Sequence, residues 1–260
     1  MTPDILPGRD GAVATVTLSN PGKRNAMTAA MWRRLEAVMH ELSADEHLRC
    51  VVIRGEGPVF AAGGDIEEFL SVRDTYEKAR IYHGEWVAGA LDAVAGCRHP
   101  VIAEIRGACM GGGLEIAAAC DLRIAGEGAR FGAPIMQLGF TMAHSELVGL
   151  VALAGPAVTL EILLEGRILT AREAYEKGLV ARVVPDDGLA AEVAATAVRI
   201  AAGAPLAARA HKRLVRRLTA AAAALDEAEI RANFAFLDSE DYREGLAAFL
   251  AKRKPEFQGR

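Results

Sequence analysis

Residues 107–121 read GACMGGGLEIAAACD, a glycine-rich loop that runs into a short apolar helix with one carboxylate, Glu115, in its first turn. Consecutive glycines let the backbone take positive φ and let a ligand approach main-chain N–H groups that the first helical turn leaves without intrahelical acceptors. Those N–H groups and the helix dipole favour an anion. Close helix packing, with Glu115 merely well placed against the dipole, explains the same residues equally well. The rest of the chain has to decide between these interpretations.

The residues before this stretch repeat an earlier arrangement. The run VIAEIR at 101–106 predicts a strand that leads into the glycine loop. The run CVVIRG at 50–55 predicts a buried strand, followed by a loop with Gly63 and Gly64 and by Asp65, a candidate cap for a helix beginning at Ile66. Two such strand, loop and helix units predict neighbouring strands whose loops face a common crevice. Two backbone N–H donors would then lie close together.

The remaining pattern is mixed α and β. Residues 5–18 predict a hairpin that turns at Asp10-Gly11, and Thr28 is a candidate N-cap of the following helix. Helices are predicted at about 74–96, 145–154, 157–165 and 171–177, and strands at 122–125 and 181–184, with a connection at 131–139. From Leu189 onward the sequence becomes alanine-rich and helical, with breaks near 203–205, 238–239 and 254–255. Its apolar faces suggest packing on the core or on a neighbouring subunit.

Composition limits the class of protein. The chain has 260 residues, of which 52% are hydrophobic and 25% charged, so it is ordinary globular material. Its net charge of −4 argues against general nucleic-acid binding, which needs a basic face. The first residues lack a leader pattern, and the apolar runs are interrupted short of a membrane span. We expect a cytoplasmic protein with no nucleic-acid or membrane partner.

The four cysteines, at 50, 97, 109 and 120, show no C-x-x-C pair and no nearby histidine at ligand spacing, so no metal site is expected. Cys109 lies beside the glycine loop, but no sequence feature supplies it with a base. We therefore expect all four to be buried small apolar residues.

A pair of convergent N–H groups forms an oxyanion hole, which stabilises the charge that develops on a carbonyl oxygen during reaction. For a thioester this charge belongs to an enolate or a tetrahedral adduct. Removing one such donor typically costs roughly 10²–10³ in rate. Glu115 is the candidate for moving the proton, since the first helical turn places it beside the loop that supplies an N–H.

Four segments in order carry a resemblance to a known family: residues 55–66, 107–115, 121–125 and 244–257. Together they resemble the crotonase (enoyl-CoA hydratase/isomerase) superfamily over nearly the whole chain. The resemblance implies an α/β spiral of β-β-α units with an acyl-CoA site in residues 1–188, and a C-terminal helical trimerisation region at 189–260. It also implies a homotrimer or homohexamer that acts in metabolism of fatty acids.

The resemblance also implies roles for particular residues. Gly64 and Gly112 would supply the two oxyanion N–H groups. Coenzyme A would enter as part of the substrate, without a permanently bound cofactor. The positions that match the family's coenzyme A contacts are Lys23, Arg24, Ala26, Ala62, Asp65 and Ile66. For Lys23 and Arg24, solvated loop charges are the competing interpretation.

One catalytic position departs from the family. Glu115 matches the first glutamate of the hydratases, but the second, which follows the proline of a Phe-Gly-x-Pro-Glu segment, is replaced by Ile135. An isoleucine transfers no proton, and hydration requires both activation of water and delivery of a proton. The loss counts against efficient hydratase activity. A single glutamate would still suit double-bond isomerisation, decarboxylation or thioester hydrolysis.

Two residues in the unusual segment 142–146 are candidates to replace the missing group. His144 is a candidate catalytic residue, with a structural role equally supported, whereas Glu146 is better explained as a charge at the start of a helix. At most one of them should face the substrate. His83, His99 and His211 are expected to be structural or surface residues. An acyl-CoA enzyme that forms a thioester enolate is the first hypothesis, another reaction on that enolate the second, and acyl-CoA binding without turnover the third.

Overall fold

The structure is a computed structural model that describes residues 2–203, 205–219, 227–228, 231 and 234–256. The strands are β1 (Asp4–Asp10), β2 (Val13–Ser19), β3 (Cys50–Gly55), β4 (Val101–Ile105), β5 (Ala108–Met110), β6 (Leu122–Gly126), β7 (Arg130–Gly132), β8 (Leu169–Thr170) and β9 (Arg182–Val184). The helices are α1 (Ala29–Ala44), α2 (Phe69–Val72), α3 (Tyr76–Ile81), α4 (Ala88–Gly96), α5 (Gly112–Ala119), α6 (His144–Leu164), α7 (Ala171–Glu176), α8 (Leu189–Ala201), α9 (Pro205–Thr219) and α10 (Glu240–Leu250). Short 3₁₀ turns lie at Ile66–Glu68, Ile135–Leu138 and Ala235–Asp238.

The main sheet has six strands in the order β1-β2-β3-β4-β6-β9. The predicted hairpin forms its antiparallel edge, and every other pairing is parallel. In β3 the first four residues are buried, as expected for a strand covered on both faces. Because β3 and β4 are parallel neighbours, their carboxyl ends lie at the same edge of the sheet. Both predicted glycine loops therefore start from that edge.

A second sheet, β5-β7-β8, was not predicted. The first part of the stretch that opens the site is the strand β5 and not a loop. It pairs in parallel with β7, and its Cys109 also bridges to Ala61 in the loop after β3. A strand of three residues has too little periodicity to be recognised in sequence, and these long-range pairings hold it in place.

Helix starts follow the predicted capping residues. The Thr28 side chain accepts a hydrogen bond from the Met31 N–H at the start of α1, and Thr170 caps α7 in the same way. The predicted helix at about 74–96 is a run of three segments: α3, a π-helical turn at Tyr82–Val87, and α4. Thr75 caps its start. π-helical turns are rare and often occur at functional sites.

The predicted helices at 145–154 and 157–165 are joined in α6, which bends at Gly155, where φ is 73°. By length and composition alone α6 could span a membrane, with a mean hydropathy of 2.2 and 17% of the tested window buried. Its exposed apolar side chains include Val148, Val151, Leu160 and Leu164. The expectation that the chain has no membrane partner stays a prediction.

The alanine-rich C-terminal region begins with α8, which packs on the main sheet. Leu189, Val193 and Ala197 form a buried cluster with side chains of β3, β4 and β6. The predicted boundary between residues 188 and 189 therefore marks the start of a helical layer, and this layer shares a buried core with the strands. Assembly through residues 189–260 stays a prediction, and Phe257, the end of the last family segment, lies outside the described residues.

Candidate active site

The two glycine loops lie side by side, as predicted. The Met110 N–H donates to the Ala61 carbonyl at 3.0 Å, and the Ala61 N–H donates to the Ala108 carbonyl at 3.0 Å. Gly63 takes a φ of 112°, and a Cβ there would lie 3.4 Å from the Met110 carbonyl oxygen. A Cβ on Gly112 would lie 3.6 Å from the Gly63 carbonyl carbon. The backbones are thus close enough for their amides to act on one ligand atom.

The Gly64 amide is left free by the pairing of its neighbours. Met27 bridges to Gly64 in parallel fashion: the Met27 N–H donates to the Gly63 carbonyl at 2.7 Å, and the Asp65 N–H donates to the Met27 carbonyl at 2.8 Å. In a parallel bridge of this kind, the N–H of the middle residue points away from the partner strand. Gly64 lines a cavity on that side.

The Gly112 amide faces the same cavity from the start of α5. The preceding Gly111 has a φ of 44°, and its own N–H donates to the Gly132 carbonyl at 2.9 Å. The Gly112 N–H, in the first helical turn, has no intrahelical acceptor. Within the ranges that the structure covers, neither it nor the Gly64 N–H donates a hydrogen bond. Two backbone amides without an acceptor among the described residues therefore belong to residues that line one cavity.

The cavity has a volume of about 230 Å³. Trp32 and Tyr82 lie over the two glycines: a Cβ on Gly112 would meet Trp32 at 2.8 Å, and one on Gly64 would lie 3.4 Å from the Tyr82 hydroxyl. The Trp32 indole N–H donates to the Tyr82 hydroxyl at 3.2 Å. Burial raises the pKa of Tyr82, so the phenol is neutral. A side chain larger than glycine would displace Trp32 at position 112 and, at position 64, the Phe69 ring, which lies 2.9 Å from a Cβ placed there.

Glu115 lies in the cavity, as predicted, and its residue surface is 8% exposed. No hydrogen-bond partner of its carboxyl group occurs among the residues described. Burial and the nearby charge of Glu146 raise the pKa of Glu115 well above its usual range, and the Arg73 guanidinium opposes them. A buried carboxyl group with a raised pKa keeps its proton to higher pH than a free carboxyl group does, and such a group suits proton transfer.

Sequence reasoning missed the connected side chains that form another wall of this cavity. His83 is buried and lines it, although we expected a structural or surface residue. His83 Nδ1 lies 2.5 Å from Glu146 Oε1, and His83 Nε2 lies 2.9 Å from Arg73 Nη1. The three residues are separated by 10 and 63 positions in sequence, and spacing gives no signal of their contact. His99, buried against the Asp45 carbonyl, and the exposed His211 match their expected roles.

The two candidates of segment 142–146 point in different directions. His144 is exposed and is not among the residues that line the cavity, whereas Glu146 is 5% exposed and lines it. Glu146 also has the structural role that we expected, because its Oε2 accepts the Ala143 N–H at 2.9 Å at the start of α6. Ile135 lines the same cavity and presents an apolar side chain there.

The residues predicted to contact coenzyme A divide into three sets. Ile66 and Ala62 line the cavity, and Ala62 with Arg24 also lines an adjoining groove of about 1110 Å³. Lys23 lies 2.8 Å from Asp65 and 2.7 Å from Glu67, which raise its pKa. Its charge is therefore compensated within the protein, while Asp65 also caps the turn at Ile66–Glu68. Ala26 is buried and lines neither space.

The cysteines are buried and free of disulfides, as expected. Burial raises the pKa of the Cys109 thiol well above its usual range. This opposes formation of a thiolate nucleophile beside the glycine loop.

Comparisons with known proteins identify the family of this chain. The family model "Enoyl-CoA hydratase/isomerase" matches residues 8–260. A "Probable enoyl-CoA hydratase" of Rhizobium meliloti (strain 1021) is 35% identical over 257 residues, 98% of each chain. An enoyl-CoA hydratase/carnithine racemase from Magnetospirillum magneticum is 50% identical, with a TM-score of 0.82 over 98% of this chain and 96% of that one. A methylmalonyl-CoA decarboxylase in complex with 2-nitronate-propionyl-CoA is 27% identical, with a TM-score of 0.87 over 98% of both chains. These likenesses confirm the predicted crotonase-type α/β fold with its helical C-terminal region, and the chain belongs to the enoyl-CoA hydratase/isomerase family.

Proposed function

We propose that this protein is an enzyme that binds an acyl-CoA thioester and stabilises its enolate with the Gly64 and Gly112 amides, while Glu115 transfers a proton at the α-carbon. The observation that supports this most is the meeting, in one cavity, of two amides and a buried carboxyl group that have no hydrogen-bond partner among the described residues. The amides would act on the oxygen where charge develops. Glu115 would act on the carbon beside it.

The groove next to the cavity supports a coenzyme A substrate. Both spaces include Ala62 and Met110 in their linings, so a thioester in the cavity can continue into the groove. Arg24 and Arg130 line the groove together with one acidic side chain, Glu56. Two guanidinium groups in an open groove suit phosphate oxygens. We therefore favour Arg24 over the compensated Lys23 as a contact of the nucleotide part.

Hydration or isomerisation of an enoyl-CoA is the reaction that the cavity suits best. Decarboxylation is the second candidate, supported by the likeness to a methylmalonyl-CoA decarboxylase. Its substrate would bring another carboxylate beside Glu115 and Glu146, where a like charge is unfavourable. Thioester hydrolysis and binding without turnover remain alternatives. The exposed apolar side chains of α6 support a homotrimer or homohexamer, although they do not specify its geometry.

Product analysis with a Glu115 variant tests this proposal. The protein is incubated with four-carbon and eight-carbon enoyl-CoAs of both double-bond positions, and products are followed by mass. In parallel, deuterium exchange at the α-carbon of butyryl-CoA in heavy water reports enolate formation directly. We expect Glu115→Ala to lower both rates by roughly 10²–10⁴, the usual contribution of a general acid or base.

Glu104→Gln is the matched control. Burial raises the pKa of Glu104 too, but this residue lies on β4 and does not line the cavity. We expect its rates to match those of the unchanged protein. If butyryl-CoA binds and the unchanged protein neither exchanges the α-proton nor converts any thioester, the protein is an acyl-CoA-binding protein without turnover, and the proposal is wrong.

A further inference from the structure

We propose that Glu146, held by His83 and Arg73, is the second catalytic carboxylate of this site and takes the role that Ile135 cannot fill. This inference rests on the enolate chemistry proposed above and adds the group that activates water. It makes the protein a hydratase with its second carboxylate on α6 and not after Pro134.

The packing of α6 on α5 brings the two carboxylates to one cavity. A Cβ on Gly149 of α6 would lie 3.8 Å from Ala118 of α5, so the helices are in close contact there. Glu115 and Glu146 each precede that contact by three residues, which places each on the contacting face of its helix. Both are buried, and both line the cavity with Ile135.

Hydrogen bonds determine which ring nitrogen of His83 carries the proton. An arginine can only donate, so Arg73 Nη1 donates to His83 Nε2, which must carry a lone pair. The ring proton of neutral His83 is then on Nδ1, and Nδ1–H donates to Glu146 Oε1 at 2.5 Å. Arg73 is itself held between rings, with its guanidinium carbon 3.6 Å from the Phe69 centroid and 4.1 Å from that of Phe140. The network accordingly presents Glu146 in one orientation.

The different surroundings of the two carboxyl groups assign their roles. Glu146 accepts one N–H on each oxygen, from His83 and from Ala143, so both oxygens are oriented as hydrogen-bond acceptors. Glu115 has no donor of this kind in the described part of the chain and lies near the charge of Glu146. Glu146 is therefore the base and Glu115 the acid.

The step balances with these two groups and water. The water oxygen bonds to C3 of the enoyl group, and one water proton passes to Glu146. The electron pair of the C2–C3 double bond moves to give the enolate, whose oxygen faces Gly64 and Gly112. Glu115 then gives its proton to C2, which restores the thioester carbonyl. Transfer of a proton from Glu146 to Glu115 returns both groups to their starting state.

A purely structural role is the competing explanation for Glu146, because its carboxylate accepts the N–H of Ala143, the N-cap residue of α6. The chain offers a matched control for that role. Glu173 makes the same contact in the capping box of α7, where its carboxylate accepts the Thr170 N–H at 2.8 Å, and it does not line the cavity. A change from glutamate to glutamine therefore alters the same cap in both helices, but it alters the cavity only at Glu146.

The test measures hydration of crotonyl-CoA and α-proton exchange of butyryl-CoA for Glu146→Gln and Glu173→Gln. We expect Glu146→Gln to lower the kcat of hydration by roughly 10²–10⁴ while exchange stays within about tenfold, because exchange needs only Glu115 and the two amides. Glu173→Gln should leave both rates unchanged. Hydration unaffected by Glu146→Gln, or lost only in step with exchange, would overturn the proposal.

Variants of His83 extend the test if Glu146→Gln fails to fold. The amide N–H of asparagine can replace Nδ1–H, whereas leucine supplies no donor. We expect His83→Asn to keep hydration within about tenfold and His83→Leu to lower kcat by roughly 10² or more, each with little change in KM. Equal rates for both variants would show that His83 does not position Glu146. Failure of exchange in the unchanged protein would instead contradict the enolate proposal itself.

Discussion

Glu115 and Glu146 are the same residue type near the starts of two packed helices, yet their carboxyl groups have opposite surroundings. Glu115 is in the first turn of α5, faces the cavity and accepts no hydrogen bond from the described residues. Glu146 is in the first turn of α6 and accepts one N–H on each oxygen. Burial is similar, at 8% and 5% exposure, so burial does not explain the difference.

The difference shows that partners decide what a buried carboxyl group does. A helix start and a low exposure are shared by both residues. His83 and Ala143 donate hydrogen bonds to Glu146, whereas burial and the nearby charge of Glu146 raise the pKa of Glu115. The proposed acid and base are thus the same residue type, and they differ because Glu146 alone accepts hydrogen bonds from described residues.

The largest effect is expected when the second carboxylate is moved from position 146 to position 135, which tests whether the hydration rate depends on a second carboxylate. In the Glu146→Gln protein, Ile135→Glu restores a carboxyl group at the cavity from the 3₁₀ turn that follows Pro134. We expect it to raise the rate of crotonyl-CoA hydration by about tenfold or more over Glu146→Gln alone, since an acid or base is typically worth 10²–10⁴.

Ile135→Glu in the otherwise unchanged protein is the control. There it adds a third carboxyl group to a cavity that already has an acid and a base, and we expect no gain in hydration. A large gain in this single variant would mean that the site lacks a second carboxylate, and Glu146 would then have only its capping role.

The pH dependence of exchange should shift less, but in a defined direction. Glu115 must be ionised to remove an α-proton from butyryl-CoA, so exchange rises with pH through the pKa of Glu115. Glu146→Gln removes the negative charge that helps to raise this pKa. We expect the midpoint of the exchange profile to move to lower pH. A midpoint unchanged from the original protein would show that the two carboxyl groups do not interact.

Local rules predicted most of the fold. The hairpin turn at Asp10-Gly11, the caps at Thr28 and Thr170 and the buried run of β3 depend on near neighbours in sequence, and the structure has all of them. The meeting of the glycine loops followed from a topological rule about parallel strands. Gly64, Gly112 and Glu115, which that rule placed near one another, all line the cavity, and their catalytic roles stay predictions.

The network around Glu146 could not be predicted in this way. His83 lies in a π-helical turn, which an α-helical pattern does not reveal, and it meets Glu146 from 63 residues away. Arg73, a charged residue in a short connection, gave no sign that it is buried between aromatic rings. These contacts depend on how separate elements pack, and the preference for His144 over Glu146 was reasonable only while that packing was unknown.

Thermal stability should show the smallest effect, and it should again differ between variants of Glu115 and of Glu146. The pKa of Glu115 is higher in the folded than in the unfolded protein, so its contribution to stability is present at acidic pH and is lost as pH rises towards the folded pKa. Glutamine does not titrate. Near pH 5 we expect Glu115→Gln to change the free energy of unfolding by less than about 0.5 kcal/mol, because glutamine is close in shape to the neutral acid. The Tm of the variant, measured by calorimetry, should then rise relative to that of the unchanged protein as pH rises to 8.

Glu146→Gln should destabilise the protein at both pH values, because the glutamine leaves a buried donor of His83 or Ala143 without a carboxylate acceptor. If Glu115→Gln instead loses stability relative to the unchanged protein as pH rises, Glu115 is ionised in the resting site. The assignment of acid and base would then be reversed.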